Sequence, residues 1–305
     1  MSRTLTTLRE DLLRFLGGPT VSYMKRDPGA IVGGTIFLVF LMSALFAGVV
    51  APYDPYQADL ANSLQPPVGF GGSWEHPLGT DAIGRDLLSR LIYGARISLS
   101  VAAVSVTLAV LVGVSLGALS GYFGGLIDEV LMRIVDFWLS FPAVLMAISL
   151  MVVLGPGYWN VVAAMTLTSW VPFARVVRGE FLTLKERPFV LAAKAIGVGS
   201  AHIIFREALP NTFPSLIVLS TFQLARNIIY EASLSFIGIG VKPPNPSWGL
   251  MLGTGRQHIL DAWWIAMFPG LAITLVVLGI NLLGDSLRDA LDPTIKKKLG
   301  VVEVQ

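Results

Sequence analysis

The sequence predicts an all-α polytopic membrane protein with six transmembrane helices. Three observations carry this. Hydrophobic residues make up 54% of the 305-residue chain and charged residues 14%, whereas soluble domains hold about 25% charge. Mean hydropathy is +0.69. Residues 30–51, 97–127, 137–174 and 262–284 contain no charged side chain, and each stretch reaches the roughly 20 residues that cross a hydrocarbon core. With zero cysteines, disulfides, thiolate zinc sites and a cysteine nucleophile are excluded. A net charge of +2 gives no footing for a nucleic-acid partner.

The elements follow in chain order. Residues 1–29 form an N-terminal segment and residues 30–51 the first span. That run is too long for a secretory signal, whose apolar core is about 7–15 residues. Residues 52–96 make a loop on the opposite side. Within it, 80–96 reads as an N-capped amphipathic helix with Asp81 near its start, Leu87, Leu88, Leu91 and Ile92 on one face, and Asp86 and Arg90 spaced to pair. A core of five spans occupies 97–292. The second span, 97–127, carries Gly113, Gly117 and Gly121 as a stripe where another helix approaches closely. Gly155-Pro156-Gly157 divides the next stretch into spans at about 135–154 and 159–177. The fifth span, 213–237, is interrupted by Arg226 and Glu231; the sixth is 262–284, and 293–305 is a tail. A β-barrel needs alternating segments of about 10 residues, and these runs are continuous and longer.

With the N-terminus inside, sixteen Lys and Arg residues lie on the cytoplasmic side and five (Arg85, Arg90, Arg96, Lys242, Arg256) outside, Arg226 being within a span. The bias places both termini in the cytoplasm.

The cytoplasmic connection 179–211 is long for a helix bundle, where connections usually take 2–8 residues. Residues 189–196 and 201–209 read as two short helices, the second ending at Pro210, joined by an elbow at Gly197-Val198-Gly199-Ser200. Small Ala192 and Ala193 let a partner's walls come close, while Lys194, Arg206 and Glu207 can set its register. An interfacial amphipathic linker is the competing reading.

Leu191-Ala192-Ala193-Lys194-Ala195-Ile196-Gly197, followed by Leu209-Pro210-Asn211, resembles the EAA loop of bacterial ABC importer permeases, with Leu191 where the motif begins with Glu. The stretch from His76 through Gly79-Thr80-Asp81 and Gly84-Arg85-Asp86 to Leu99 resembles the start of the permease core in dipeptide, oligopeptide and nickel importers. Glu231-Ala232-Ser233-Leu234-Ser235-Phe236, running on to Ser247-Trp248-Gly249, resembles the outer end of their fifth span. The resemblance is to the second permease of the pair, the "C" component of dipeptide systems. It implies the type I ABC importer permease fold in the bacterial inner membrane. It also implies a homologous permease partner, two ATPase subunits carrying ATP and Mg, and an extracytoplasmic solute-binding protein. Leu191, Ala192, Ala193, Lys194, Gly197, Arg206, Glu207, Leu209 and Pro210 would then seat in the ATPase, and the solute would be a di- or oligopeptide, nickel, glutathione or another small molecule.

The residues add their own indications. A charge in mid-membrane costs about 2.5–3.5 kcal/mol by insertion scales, so Arg226 and Glu231 are expected to face a cavity. With Gln223 and Asn227 they are candidates for a translocation path, Arg226 meeting a peptide carboxylate and Glu231 its amine. Pairing of Arg226 with the partner permease is the alternative. Asp81, Arg85, Asp86, Arg90 and Trp248 are candidates for docking the binding protein, a helix lying among lipid headgroups being equally compatible. No lysine precedes Ser or Thr, there is no HExxH, and His76, His202 and His258 are scattered, so neither a phosphate loop nor a metal or other cofactor is expected in this chain. An ion-gradient-driven transporter would carry inverted repeats and acid relays, which the sequence does not display.

Overall fold

The computed structural model describes residues 19–291. Most of the N-terminal segment and the whole tail 293–305 lie outside the described residues, including Arg3, Arg9, Arg14, Lys296, Lys297 and Lys298. Among the described residues the fold is helical, with one isolated antiparallel bridge between Thr80 and Asp86 and no strand.

The helices are α1 (Pro19–Met24), α2 (Pro28–Leu45), α3 (Ala47–Val50), α4 (Leu87–Phe123), α5 (Gly125–Leu139), α6 (Ala143–Leu154), α7 (Tyr158–Leu184), α8 (Pro188–Ala195), α9 (Ser200–His202), α10 (Leu209–Phe236), α11 (Trp248–Gly255) and α12 (Trp264–Leu291). Four of them, α2, α4, α7 and α12, are long and apolar enough to cross a membrane, and a fifth span results if the bent pair α5–α6 counts as one. The remaining expected span, the fifth at 213–237, falls on α10. It has the length, 28 residues, but its polar side chains keep it out of the apolar set.

Two expectations about these spans are corrected. The expected outer helix at 80–96 and the second span are one continuous 37-residue helix starting only at Leu87, because Asp86, not Asp81, accepts a hydrogen bond from the Ser89 backbone and caps it. The third span is not one helix over 135–154. It breaks at 140–142 with an 88° bend between α5 and α6. Pro142 is the cause: its ring pushes the preceding residue out of the helical region and its nitrogen has no hydrogen to donate.

The glycine stripe of α4 lies against α7. A Cβ on Gly113 would sit 2.5 Å from the Trp170 carbonyl oxygen, one on Gly117 2.5 Å from that of Ala174, and one on Gly121 2.6 Å from the Phe181 Cβ. This is the most extensive helix pair among the described residues. α2 crosses α12 in the same way, with Gly33 against the Gly279 backbone. Around the α4–α7 seam, Phe173, Ala174, Val177, Phe181, Ile204 and Ala208 are buried together. A second core gathers Leu87, Trp248, Met251, Trp264 and Ile265 at the other end of α4.

Candidate functional site

Three regions hold the residues singled out in the sequence. The first is the α7–α10 connection. α8 ends where Gly197 takes φ +79°, a left-handed conformation that suits glycine. α9 then starts at Ser200 with Gly199 in the capping position. The second short helix does not stop at Pro210. It passes through a π-helical segment, Ile203–Ala208, straight into α10, with the Leu209 N–H bonded to the Ile204 carbonyl. Proline is tolerated in the first turn of α10, where an intrahelical donor is not required. The elbow is therefore joined to α10 without a loop.

Its inner side is anchored: Val190 and Ile203 are buried, and the Lys194 ammonium lies 5.2 Å from the centre of the Tyr122 ring at the end of α4. Its outer side is apolar and open. Ile196 is 82% exposed and Phe205 68%, with Leu191, Ala192, Gly197, Arg206 and Pro210 also exposed and Ala193, Glu207 and Leu209 partly so. Glu207 stands 3.9 Å from His202. Beneath, Asp128 of α5 accepts from Ser120 of α4 and from both Nε and Nη2 of Arg178 of α7. Three helices are thereby clamped at the base of the connection.

The second region is the interior of α10. Glu231 is fully buried and paired: its carboxylate accepts from Ser98 at 2.8 Å and Ser235 at 2.7 Å. Asn227 accepts from Ser169 and donates to Ser105, both at 2.9 Å, and Gln223 donates to the Ser169 carbonyl at 3.3 Å. These three side chains join α10 to α4 and α7. Arg226 differs. Its Nε and Nη2 are buried without a hydrogen-bond partner among the described residues, and its guanidinium lies 5.4 Å from the centre of the Tyr230 ring.

The third region is the loop before α4. Asp81, Asp86, Arg90 and Trp248 are all buried, which corrects the expectation that they present a docking surface. Asp81 accepts from the Ile83 and Arg85 backbones and from Arg85 Nε at 2.7 Å. Asp86 binds His76 Nδ1 at 2.9 Å rather than Arg90. Arg90 lies 3.5 Å from Asp81 and donates to the Pro55 carbonyl. Trp248 donates from its backbone to Ser98 and from its ring to the Leu91 carbonyl. Of the five, Arg85 keeps partial exposure.

Gly113-Val114-Ser115-Leu116-Gly117 has the GxSxG spacing of a hydrolase nucleophile turn, a match the sequence reading missed. Here it lies inside α4, with Ser115 bonded back to the Leu111 carbonyl, so it is packing and not a strained turn.

Long apolar helices and an elbow exposed between two of them describe a polytopic membrane protein. The chain belongs to the family of binding-protein-dependent transport system inner membrane components, whose model matches residues 113–297; it is a non-catalytic permease subunit of an ABC transporter. Residues 20–67 match the N-terminal TM domain of oligopeptide transport permease C. The chain is 42% identical to the dipeptide transport system permease protein DppC of Alkalihalophilus pseudofirmus, over 90% of this chain and 88% of that one. It is 39% identical to the glutathione transport system permease protein GsiD of Pectobacterium atrosepticum over 97% of both chains. The fold is similar to that of the inward-facing MetNI methionine ABC transporter, with a TM-score of 0.54 at 20% identity over 68% of this chain and 98% of that one.

Proposed function

We propose that this chain is the permease of an ATP-driven importer of di- or oligopeptides in the bacterial inner membrane. In this reading it pairs with a homologous permease, receives solute from an extracytoplasmic binding protein, and is driven by two ATPase subunits that hold ATP and Mg. It crosses the membrane six times, with α5–α6 as a bent third span and α10 as the fifth, and both termini are cytoplasmic. The single observation carrying the coupling role is the elbow itself. Ile196 and Phe205 are among the more exposed large apolar side chains of the described residues, on a segment whose Val190 and Ile203 are buried. An exposed apolar patch on a rigid mount marks an interaction site. Leu191, Ala192, Ala193, Gly197, Arg206, Glu207, Leu209 and Pro210 surround this patch and would seat in the ATPase, with Lys194 at its edge turned toward Tyr122. Closure of the ATPases would then pull the elbow, and α10 with it, because the π-helical segment gives the two one backbone.

The peptide substrate is supported by the named dipeptide relatives, glutathione itself being a tripeptide. Uptake of a labelled dipeptide into proteoliposomes holding the complete complex tests it. Accumulation should require ATP and the binding protein and be blocked by vanadate. Accumulation that persists without ATP and collapses with an uncoupler would contradict it.

A further inference from the structure

We infer that Arg226 is a carboxylate subsite for the transported solute, an inference resting on the peptide-import reading above. The side-on edge of its guanidinium, Nε and Nη2, is buried and unsatisfied among the described residues. That same edge is the one by which Arg178 grips Asp128, and it is the fork that matches a carboxylate in bidentate fashion. The nearby polar side chains of α10 are unavailable, since Gln223, Asn227 and Glu231 are committed to hydrogen bonds within the chain. Tyr230 covers one face of the cation, which holds it in place without neutralising it.

A hollow opens along the preceding turns of α10. It measures about 750 Å³ and is lined by Pro214, Ser215, Val218 and Phe222 of α10, with Val176 of α7 and Arg288 of α12 on its other walls. Arg226 follows Phe222 by one helical turn on the same face, just beyond that lining. The volume of the hollow is that of a small-ligand pocket.

The occupant is the solute rather than a neighbouring subunit because of what peptides share. Their side chains vary, but each free peptide carries a terminal carboxylate. An importer that accepts many sequences needs a fixed cation for that group, one left unpaired until the solute arrives.

The test compares a free-acid dipeptide with its C-terminal amide in proteoliposomes of the complete complex, each uptake rate normalised to wild type. Normalisation removes any preference of the binding protein. R226Q is expected to lower free-acid uptake about tenfold more than amide uptake, as for loss of a charge-assisted hydrogen-bond pair. R226K keeps the charge but not the fork, and should shift the ratio in the same direction by less; it serves also if R226Q does not assemble. Equal losses for the two solutes, or no loss, overturn the inference. Equal losses with release of the second permease assign Arg226 to subunit pairing and overturn it too. A wild-type complex that moves neither solute removes the peptide reading itself.

Discussion

Ser98 and Glu231, 133 residues apart in sequence, are joined by a buried hydrogen bond of 2.8 Å that ties α4 to α10. The same Ser98 hydroxyl accepts from the Trp248 backbone, and Ser235, the other donor to Glu231, accepts from the Val241 backbone. One acidic side chain thus organises the segment between α10 and α11. Glu231→Ala leaves these hydroxyls with no carboxylate. It should destabilise the chain by about 1–3 kcal/mol, seen as a lower melting temperature in detergent. Glu231→Gln keeps an acceptor and the shape, so its loss should be smaller. An unchanged melting temperature in both would refute the assignment.

The α4–α7 seam makes a second expectation. Gly113→Ala puts a methyl 2.5 Å from a carbonyl oxygen and 2.6 Å from the Phe173 Cβ, and backbone cannot yield as a flexible side chain does. A cost of about 1–3 kcal/mol follows. Gly179→Ala, on α7, meets nothing within 4 Å and should be neutral or stabilising by up to about 1 kcal/mol. Thermal melts of the two variants check the contrast, and equal destabilisation would argue against the packing.

At the base of the elbow, Arg178→Lys cannot reproduce the two-pronged grip on Asp128. The variant should melt at a lower temperature than wild type, with Asp128→Asn adding little more in the double variant because both act on one pair. Additive losses would show that the two side chains work separately.

The start of α2 supplies a pH dependence. Ser286 and the Ala30 backbone donate to Asp27, and the Ser286 hydroxyl chiefly, then the Ala30 N–H, hold its pKa below the ordinary carboxylate value. A lowered folded-state pKa means stability present above the unfolded value, about 3.9, and lost as pH falls through the folded one. Asp27→Asn should therefore melt below wild type at neutral pH, with the gap closing below about pH 4. A gap that does not change with pH would exclude this linkage.

Much of this was legible in the sequence. Charge-free runs located the long helices because lipid tolerates few charges, and the three-glycine stripe marked a close helix contact that α7 fills. The α7–α10 connection showed its elbow through Gly197, whose left-handed backbone ends α8. What failed did so where partners are distant in sequence. Glu231 was expected to face a cavity, yet its donors include Ser98, far along the chain. Asp86 and Arg90 have helical spacing, but His76 and Asp81 draw them apart from one another. Trp248 reads as a surface aromatic until the helix it packs on is known; a Cβ on Gly94 would lie 2.9 Å from its ring. Pro142 was visible as a residue, but a long apolar run masked the bend it causes.

The most direct measurement concerns the elbow. In complexes purified from native membranes through a tag on this chain, Ile196→Asp with Phe205→Asp places two charges on exposed positions, where folding has little at stake. The account expects the ATPase subunits to be lost from the purified complex and ATP-driven dipeptide accumulation to disappear, while the double variant still inserts and melts as wild type does. Retention of the ATPases together with undiminished ATP-driven accumulation would contradict it.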